Sequence, residues 1–332
     1  MKLGIISLWG DDIEAYRAQV RLAEELQFGL IGVGDVPHAW QELYISLTIA
    51  ALETKKITLA PMVTTPFGRH PAITAIAMSS LYELTGGRVV LGIGTGNSMA
   101  KGFGRNLATQ TEMRDYILAL RELFSGKSIT WDGKVIEPLA CARPVPIYLS
   151  AAGPKALALA GELADGVVLQ IGSSLDEVDS KIARVRTAAV AANRQPASVD
   201  LWAYSFCSIR ESRKAALSDI SSFLAALVCS DFKKKAFFDK VPDALKEKIS
   251  EVHRRYDLSQ HAVPGSSNGR LVEELGLADY LAGFNSIAGT PEEVRTIVNH
   301  VASRGISRLM CALPGISDRI GTMRRLSAAA AP

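Results

Sequence analysis

The sequence predicts a single α/β domain: a (β/α)8 TIM barrel with an inserted helical and loop segment after the seventh strand. Three observations carry this expectation. Eight short apolar stretches alternate with longer amphipathic ones, and strands apolar on both faces and joined by helices belong to a parallel sheet. The 332 residues exceed the roughly 250 of a plain barrel by enough for one insertion. A doubly wound sheet, the competing arrangement, places its phosphate glycines after the first strand, where the stretch beyond Leu8 offers only Gly10.

"KLGIISL" opens the chain as the first strand. Residues 12–27 follow as a helix with Ile13, Tyr16, Val20, Ala23 and Leu26 on its apolar face. "LIGVG" (30–34) is the second strand and "ELYISLTIAALETK" its helix. "ITLAPMV" (57–63) and "RVVLGIG" (88–94) are the third and fourth strands, separated by the helix "AITAIAMSSLYELT". A helix near 110–125 precedes strands five to eight: "PIYLS" (146–150), "DGVVLQ" (165–170), "LWAYSFCSI" (201–209) and "SRLMCAL" (307–313). The surplus length falls mainly at 225–285, which mixes charge with aromatics and ends in a Pro/Gly/Ser loop. Above the catalytic end of a barrel it would act as a lid or an oligomer contact. Residues 1–332 are therefore expected to form one domain, with the Ala-rich end "LSAAAAP" as a frayed tail.

Composition narrows the partners. With 48% hydrophobic and 21% charged residues, the chain has the material for a sizeable core and no mark of global disorder. A formal charge of +3 lacks the dense basic stripe that nucleic acid requires, and Lys233–Lys235 is an isolated basic run on a solvated helix face. No uncharged apolar stretch reaches the roughly 18 residues of a membrane span, and no signal-peptide pattern is evident, so the cytoplasm is the expected location. Cys141, Cys207, Cys229 and Cys311 share no ligand spacing, nor do the five histidines, so no metal site is expected. Cys207 and Cys311 sit in apolar strands as small core residues. HExxH, P-loop and GxSxG motifs are absent.

Four strand exits carry chemistry. In "YLSAAGPKALALAG", Ser150, Ala151, Ala152 and Gly153 follow the fifth strand, and Pro154 suits a first helical turn. Small side chains there bare backbone N–H groups at a helix N-terminus, where the dipole favours an anion. A tight loop with close helix packing is the alternative. "LGIGTGNS" (91–98) ends the fourth strand. Gly94 and Gly96 would let a flat ring or phosphate chain approach the backbone, with Asn97 and Ser98 at the mouth. A turn that needs glycine only for its dihedrals is the alternative. Asn97 stands where GxGxxG needs its last glycine, so this is no Rossmann fingerprint.

In "APMVTTPFGRHPA" (60–72), the Thr64 and Thr65 hydroxyls would bond a heteroaromatic ring edge, and His70 reads as a structural donor. "GVGDVPHAWQE" (32–42) ends the second strand with Asp35, His38 and Trp40, where a barrel places site residues. His38 would transfer protons near neutral pH. Asp35 would orient a ring nitrogen or tune His38, and Trp40 would wall the substrate pocket. A capping Asp35 and a solvated His38 are the alternative.

Together, "VTTPFGRHPAITA", "LTGGRVVLGIGTGNS", "PVPIYLSAAGPKALALAGELADGVVL" and "GTPEEVRTIVNHVASRGISRL" resemble, in order, the bacterial luciferase-like superfamily of FMN-dependent monooxygenases and F420-dependent reductases. The resemblance is nearest the methylene-tetrahydromethanopterin reductase branch and covers nearly the whole chain except 225–285. It implies a flavin or deazaflavin ring at the strands' C-terminal ends and the cofactor phosphate on Ala151, Ala152 and Gly153. It also implies a Gly94–Ser98 loop beside the ring or tail, a non-proline cis peptide at Met62–Val63 beneath the ring, and a homo-oligomer, dimer or tetramer.

Two departures bear on the reaction. The deazaflavin sugar-phosphate dehydrogenases tend to carry histidine and glutamate where this chain has Val36 and Asn97, and the reductase branch usually reads Asn-Pro at Thr65-Pro66. The leading expectation is therefore a two-component flavin-dependent monooxygenase. Reduced FMN from a separate flavin reductase would meet O2, form a C4a-peroxide and oxygenate a small organic substrate. F420-dependent hydride transfer to or from a small substrate is the alternative, and a non-catalytic flavin-binding protein a second one.

Overall fold

The computed structural model describes residues 1–37, 39–175, 177–230, 232, 235–260, 263, 265–313 and 318–330. His38, Lys233 and Lys234 lie outside the described residues.

Strands and helices alternate from the start: β1 (Lys2–Ile6), α1 (Ile13–Glu25), β2 (Leu30–Val33), α2 (Leu43–Glu53), β3 (Thr58–Pro61), α3 (Pro71–Thr85) and β4 (Leu91–Ile93). Helices α4 (Asn97–Gly102) and α5 (Gln110–Phe124) lead to a hairpin of β5 (Ile129–Trp131) and β6 (Lys134–Ile136). Next come β7 (Ile147–Ala151), α6 (Pro154–Leu163), β8 (Gly166–Gln170), α7 (Val178–Ala191) and β9 (Asp200–Ile209). Helices α8 (Arg213–Ser230), α9 (Lys235–Phe238), α10 (Asp243–Arg255), α11 (Ser267–Glu274) and α12 (Ala278–Asn285) precede β10 (Ser286–Gly289). The chain closes with α13 (Pro291–Ala302), β11 (Arg308–Ala312) and α14 (Arg319–Ala330).

The main sheet runs β3-β2-β1-β11-β9-β8-β7-β4. Parallel bridges Leu59↔Val89 and Thr64↔Ile93 bring β3 back to β4, so eight strands form a nearly closed barrel. They are the eight the sequence predicts. The ninth strand, β10, pairs in parallel with β9 off that path and was not expected. Nor was the β5–β6 hairpin, although its Asp132-Gly133 turn, with φ of 48° and 73°, is a strong short-range hairpin signal. Burial along β1, β2 and β8 is almost continuous, which explains why these strands read as apolar runs rather than as an alternation. Helix starts follow their capping chemistry: Asp12 caps α1, and Thr109–Glu112 and Thr290–Glu293 form capping boxes on α5 and α13. His70 caps α3, its Nδ1 accepting the Ala72 N–H at 3.2 Å.

The contacts divide the chain into two compact units. The first comprises Met1–Leu169, Glu177–Ala203 and Gly305–Met310, and the second Gln170–Asp176, Tyr204–Arg304 and Cys311–Pro332. Within the first, the N-terminal ends of the strands are closed by a polar knot. Tyr148 Oη and Trp202 Nε1 both donate to Asp200 Oδ2 (2.8 and 2.6 Å), Ser307 Oγ donates to Asp200 Oδ1 (2.7 Å), and the two rings lie 4.1 Å apart. Gly166 makes room for this stack, since a Cβ there would come within 2.1 Å of the Tyr148 ring. In the second unit, Leu217, Ile220, Leu224 and Val228 of α8 pack with Ile249 and Val252 of α10, Leu271 and Val272 of α11 and Leu281 of α12. The described residues of 225–285 are thus largely helical and share a core with the first half of α8. Cys207 and Cys311 are fully buried. Among the described residues, no helix is long and apolar enough to cross a membrane.

Candidate active site

The segments singled out in the sequence converge on one rim. Register places Val33 opposite Pro61 and Ile93 opposite Leu149, and the Thr64↔Ile93 bridge joins β3 to β4. Strands β2, β3, β4 and β7 therefore stand side by side in the first unit. Asp35, Val63–Thr65, Gly94–Ser98 and Ser150–Gly153 leave their C-terminal ends, the end where barrels place their chemistry.

At the exit of β3 the Met62–Val63 peptide is cis, at the position the resemblance implies. Met62 packs against Gly32 of β2, where an added Cβ would lie 2.8 Å from the Met62 Cβ, and Val63 packs against Gly92 and Gly94. A Cβ on Gly92 would lie 3.4 Å from Met62 Sδ and from Val63 Cγ1, and one on Gly94 would lie 2.7 Å from Val63 Cγ2. Gly96 has φ +81°, and a Cβ there would meet Thr65 Cγ2 at 2.5 Å. Gly94 and Gly96 thus fit their loop closely to the β3 exit. Val63, half-buried, stays at the rim.

Thr64 and Thr65 are 0% and 1% exposed. Thr64 Oγ1 donates to Asp35 Oδ2 at 2.7 Å. Thr65 Oγ1 donates to Met99 Sδ and accepts the Gly68 N–H, both at 3.2 Å. The expected hydroxyl contacts to a ring edge are therefore corrected: both groups are turned into the protein and engaged there.

Asp35, 3% exposed, accepts three hydrogen bonds: one from Thr64, and two from Arg69, Nε to Oδ2 at 3.1 Å and Nη2 to Oδ1 at 3.0 Å. Arg69 also reaches Glu42 Oε1 at 2.8 Å and lies over the Tyr44 ring at 4.9 Å. Its carbonyl accepts from Tyr116 Oη at 3.1 Å, and Tyr116 shares a 2.6 Å hydrogen bond with Thr74. Burial works to lower the Arg69 pKa, but the Asp35 carboxylate outweighs it and holds the guanidinium above its ordinary value. Burial pushes the Tyr116 phenol up to about 12. The expectation that Asp35 orients a ring nitrogen meets a carboxylate whose two oxygens are already engaged by Arg69 and the Thr64 hydroxyl. Arg69 is the residue that sequence reasoning missed, because its partner lies 34 positions away. The expected pairing of Asp35 with His38 falls outside the described residues. Trp40, 38% exposed, stands on the same exit loop, which the Gln41 N–H ties to Trp9 O at 3.2 Å.

At the exit of β7, Ser150 is half-buried, Ala151 buried, and Ala152 and Gly153 exposed. Helix α6 starts at Pro154 with Gly153 as N-cap (φ −89°, ψ 160°) and no side-chain cap, whereas α1, α3 and α5 all have one. A Cβ on Gly153 would meet nothing within 4 Å. The first N–H groups of such a helix have no partner inside it, so this corner is open, uncapped and biased toward an anion. Ser150 adjoins Gly94, its Cβ 3.7 Å from where a Gly94 Cβ would stand. Asn97 and Ser98 are exposed at the start of α4. The rim thus offers a low apolar wall beside bare amides, a combination suited to a planar ring carrying a phosphate. A cavity of about 950 Å³ lies elsewhere, between the 66–71 loop, α5 and the hairpin. Phe67, Arg69, Arg105 and Trp131 line it, Arg69 being the one residue it shares with the Asp35 network.

Known proteins extend this geometry. Residues 1–308 match the family described as luciferase-like monooxygenase. The chain is 29% identical to the 5,10-methylenetetrahydromethanopterin reductase of Methanolobus tindarius over 324 residues, 95% of this chain and 94% of that one. It is 30% identical over 232 residues, 64% of each chain, to the F420-dependent hydroxymycolic acid dehydrogenase of Mycobacterium tuberculosis. The solved coenzyme F420 dependent tetrahydromethanopterin reductase of Methanopyrus kandleri shares the fold, with a TM-score of 0.75 at 23% identity over 98% of this chain and 97% of that one. These relatives overturn the leading expectation of an FMNH2-dependent two-component monooxygenase. The M. tindarius relative, which spans nearly the whole chain, is a reductase, and F420 is the cofactor in the name of the M. tuberculosis one, so FMN is not supported as the main cofactor. With its barrel, its rim and its match over residues 1–308, the chain is an oxidoreductase that belongs to the luciferase-like monooxygenase family.

Proposed function

We propose that this protein is an F420-dependent reductase or dehydrogenase that moves a hydride to or from a small organic substrate. The observation that carries the reading is the near full-length relation to a reductase, joined by F420 in the names of further relatives. The rim supports it independently, since an uncapped helix N-terminus beside a low apolar wall fits a cofactor that is both planar and anionic.

In this reading the N–H groups of Gly153, Lys155 and Ala156 hold the phosphate. Val63, Gly34 and Ser150 line the wall against the ring, and Asn97 and Ser98 supply polar contacts at the mouth. When bound, F420 supplies the centre that gives or takes the hydride, and the protein supplies binding, orientation and a dry surface. Asp35, with both oxygens engaged by Arg69 and Thr64, holds the β3 exit. Trp40 walls the substrate side, and His38, by its place in the sequence, is the proposed proton-transfer group.

The test is separate titration with F420 and with FMN, read by fluorescence. The reading expects F420 to bind with a Kd below about 100 μM, roughly −5.5 kcal/mol, and more tightly than FMN. Tight FMN binding with no F420 binding would contradict it.

A further inference from the structure

We infer that Arg69 and Asp35 are a positioning pair: acting through the Thr64 hydroxyl, they hold the β3 exit so that Val63 is presented on the rim. The inference rests on the reading of that rim as the cofactor site. Its starting point is how Thr64 is held. The Thr64 side chain donates to Asp35, its N–H donates to Gly92 O at 3.0 Å, and its carbonyl accepts the Gly94 N–H at 2.9 Å. Both of these backbone bonds between the β3 exit and β4 belong to this one residue. The side chain just before it, Val63, is the one that packs over Gly94. Whatever fixes Thr64 therefore fixes the height of the wall on which a planar ring would rest.

Arg69 fixes Thr64 at one remove. Its Nε and Nη2 take the two oxygens of Asp35 separately, so the carboxylate can neither rotate nor withdraw from the threonine hydroxyl. Its third contact, to Glu42, ties the clamp to the N-cap of α2, and the Tyr116 hydroxyl on its carbonyl ties it to α5. The hydroxyl has a single proton, and that proton is committed to Asp35.

A buried ion pair is weak evidence for stability, because well-packed apolar residues of the same volume often serve as well. Its value here is directional. The planar guanidinium fork sets the carboxylate plane, which a lysine ammonium, a point charge, does not reproduce.

The experiment compares T64V, D35N, R69K and the D35N/T64V double variant with the wild-type chain. Amide hydrogen exchange is measured without cofactor, and F420 affinity by fluorescence. In each single variant, exchange of the Thr64 and Gly94 amides is expected to rise at least about tenfold while the Leu157 amide of α6 keeps its rate, and the F420 Kd is expected to rise about tenfold. The double variant should be no worse than the poorer single one, since both substitutions break the same link. T64V keeps the shape of the side chain and guards against a D35N chain that fails to fold.

Unchanged exchange at Thr64 and Gly94 would overturn the inference. So would a uniform rise across the rim with a fall in Tm, which marks plain destabilisation. An unaltered Kd despite loosened amides, or additive effects in the double variant, would overturn it equally. Should the wild-type chain bind no F420, the proposed function fails, and the exchange measurement alone decides the clamp.

Discussion

Two aspartates, one at each end of the same barrel, each collect three hydrogen bonds, and they do so to different ends. Asp200 lies at the N-terminal end, where it gathers Tyr148, Trp202 and Ser307. The rings stack, and Arg308 lies over Trp202 at 4.9 Å. Asp35 lies at the C-terminal end and gathers Thr64 and Arg69, on a rim whose β7 corner is left bare: Ala152 and Gly153 are exposed and α6 has no cap. The same polar device closes one end and shapes a surface at the other. A buried carboxylate near a barrel mouth is thus no mark of acid/base chemistry until its partners are known.

The comparison can be broken at either end. The largest effect is expected from W202A. Trp202 is 1% exposed, and removing a fully buried tryptophan costs about 3–5 kcal/mol. Denaturant unfolding should show that loss, while F420 affinity per folded molecule stays within about twofold, near 0.4 kcal/mol. A large affinity change would mean that the two ends are not separable. D200N comes next. The asparagine leaves a donor facing donors, a cost of about 1–3 kcal/mol, again in stability rather than affinity.

G153D should do the reverse. A carboxylate at the open N-cap competes with the phosphate, so F420 affinity should fall at least about tenfold, near 1.4 kcal/mol. Aspartate is a better N-cap than glycine by a few tenths of a kcal/mol, so stability should hold or rise slightly.

The smallest effect is in alkali. Burial, and then the neighbouring Asp200 charge, raise the Tyr148 phenol above its ordinary value. A group whose folded pKa is raised contributes its stability fully below the unfolded value near 10, and loses it as pH climbs above that. Unfolding midpoints should therefore fall with alkali above about pH 10 and fall less in Y148F. An identical slope in Y148F would show that Tyr148 does not titrate as part of the knot.

The barrel was legible because parallel strands buried on both faces leave uninterrupted apolar runs, as "DGVVLQ" and "KLGIISL" do. Strand β10 was not, being four residues that follow α12 directly. The rim was legible as a set of segments, because small residues after a strand advertise a special backbone. What single side chains do there was not. Thr64 and Thr65 looked like ligand contacts because sequence does not tell which way a hydroxyl turns at a strand exit; both are turned inward, 0% and 1% exposed. Val36 and Asn97 pulled the expectation toward FMN. Loop side chains tune chemistry, while the proposed phosphate seat is made of main-chain N–H groups that such substitutions do not touch.

The most direct measurement is a crystal structure of the protein with F420 bound. The account predicts the cofactor phosphate within hydrogen-bonding distance of the Lys155 and Ala156 amides at the start of α6, with the ring against Val63. An empty α6 corner, with the phosphate lodged in the cavity beside Phe67 and Trp131, would contradict it.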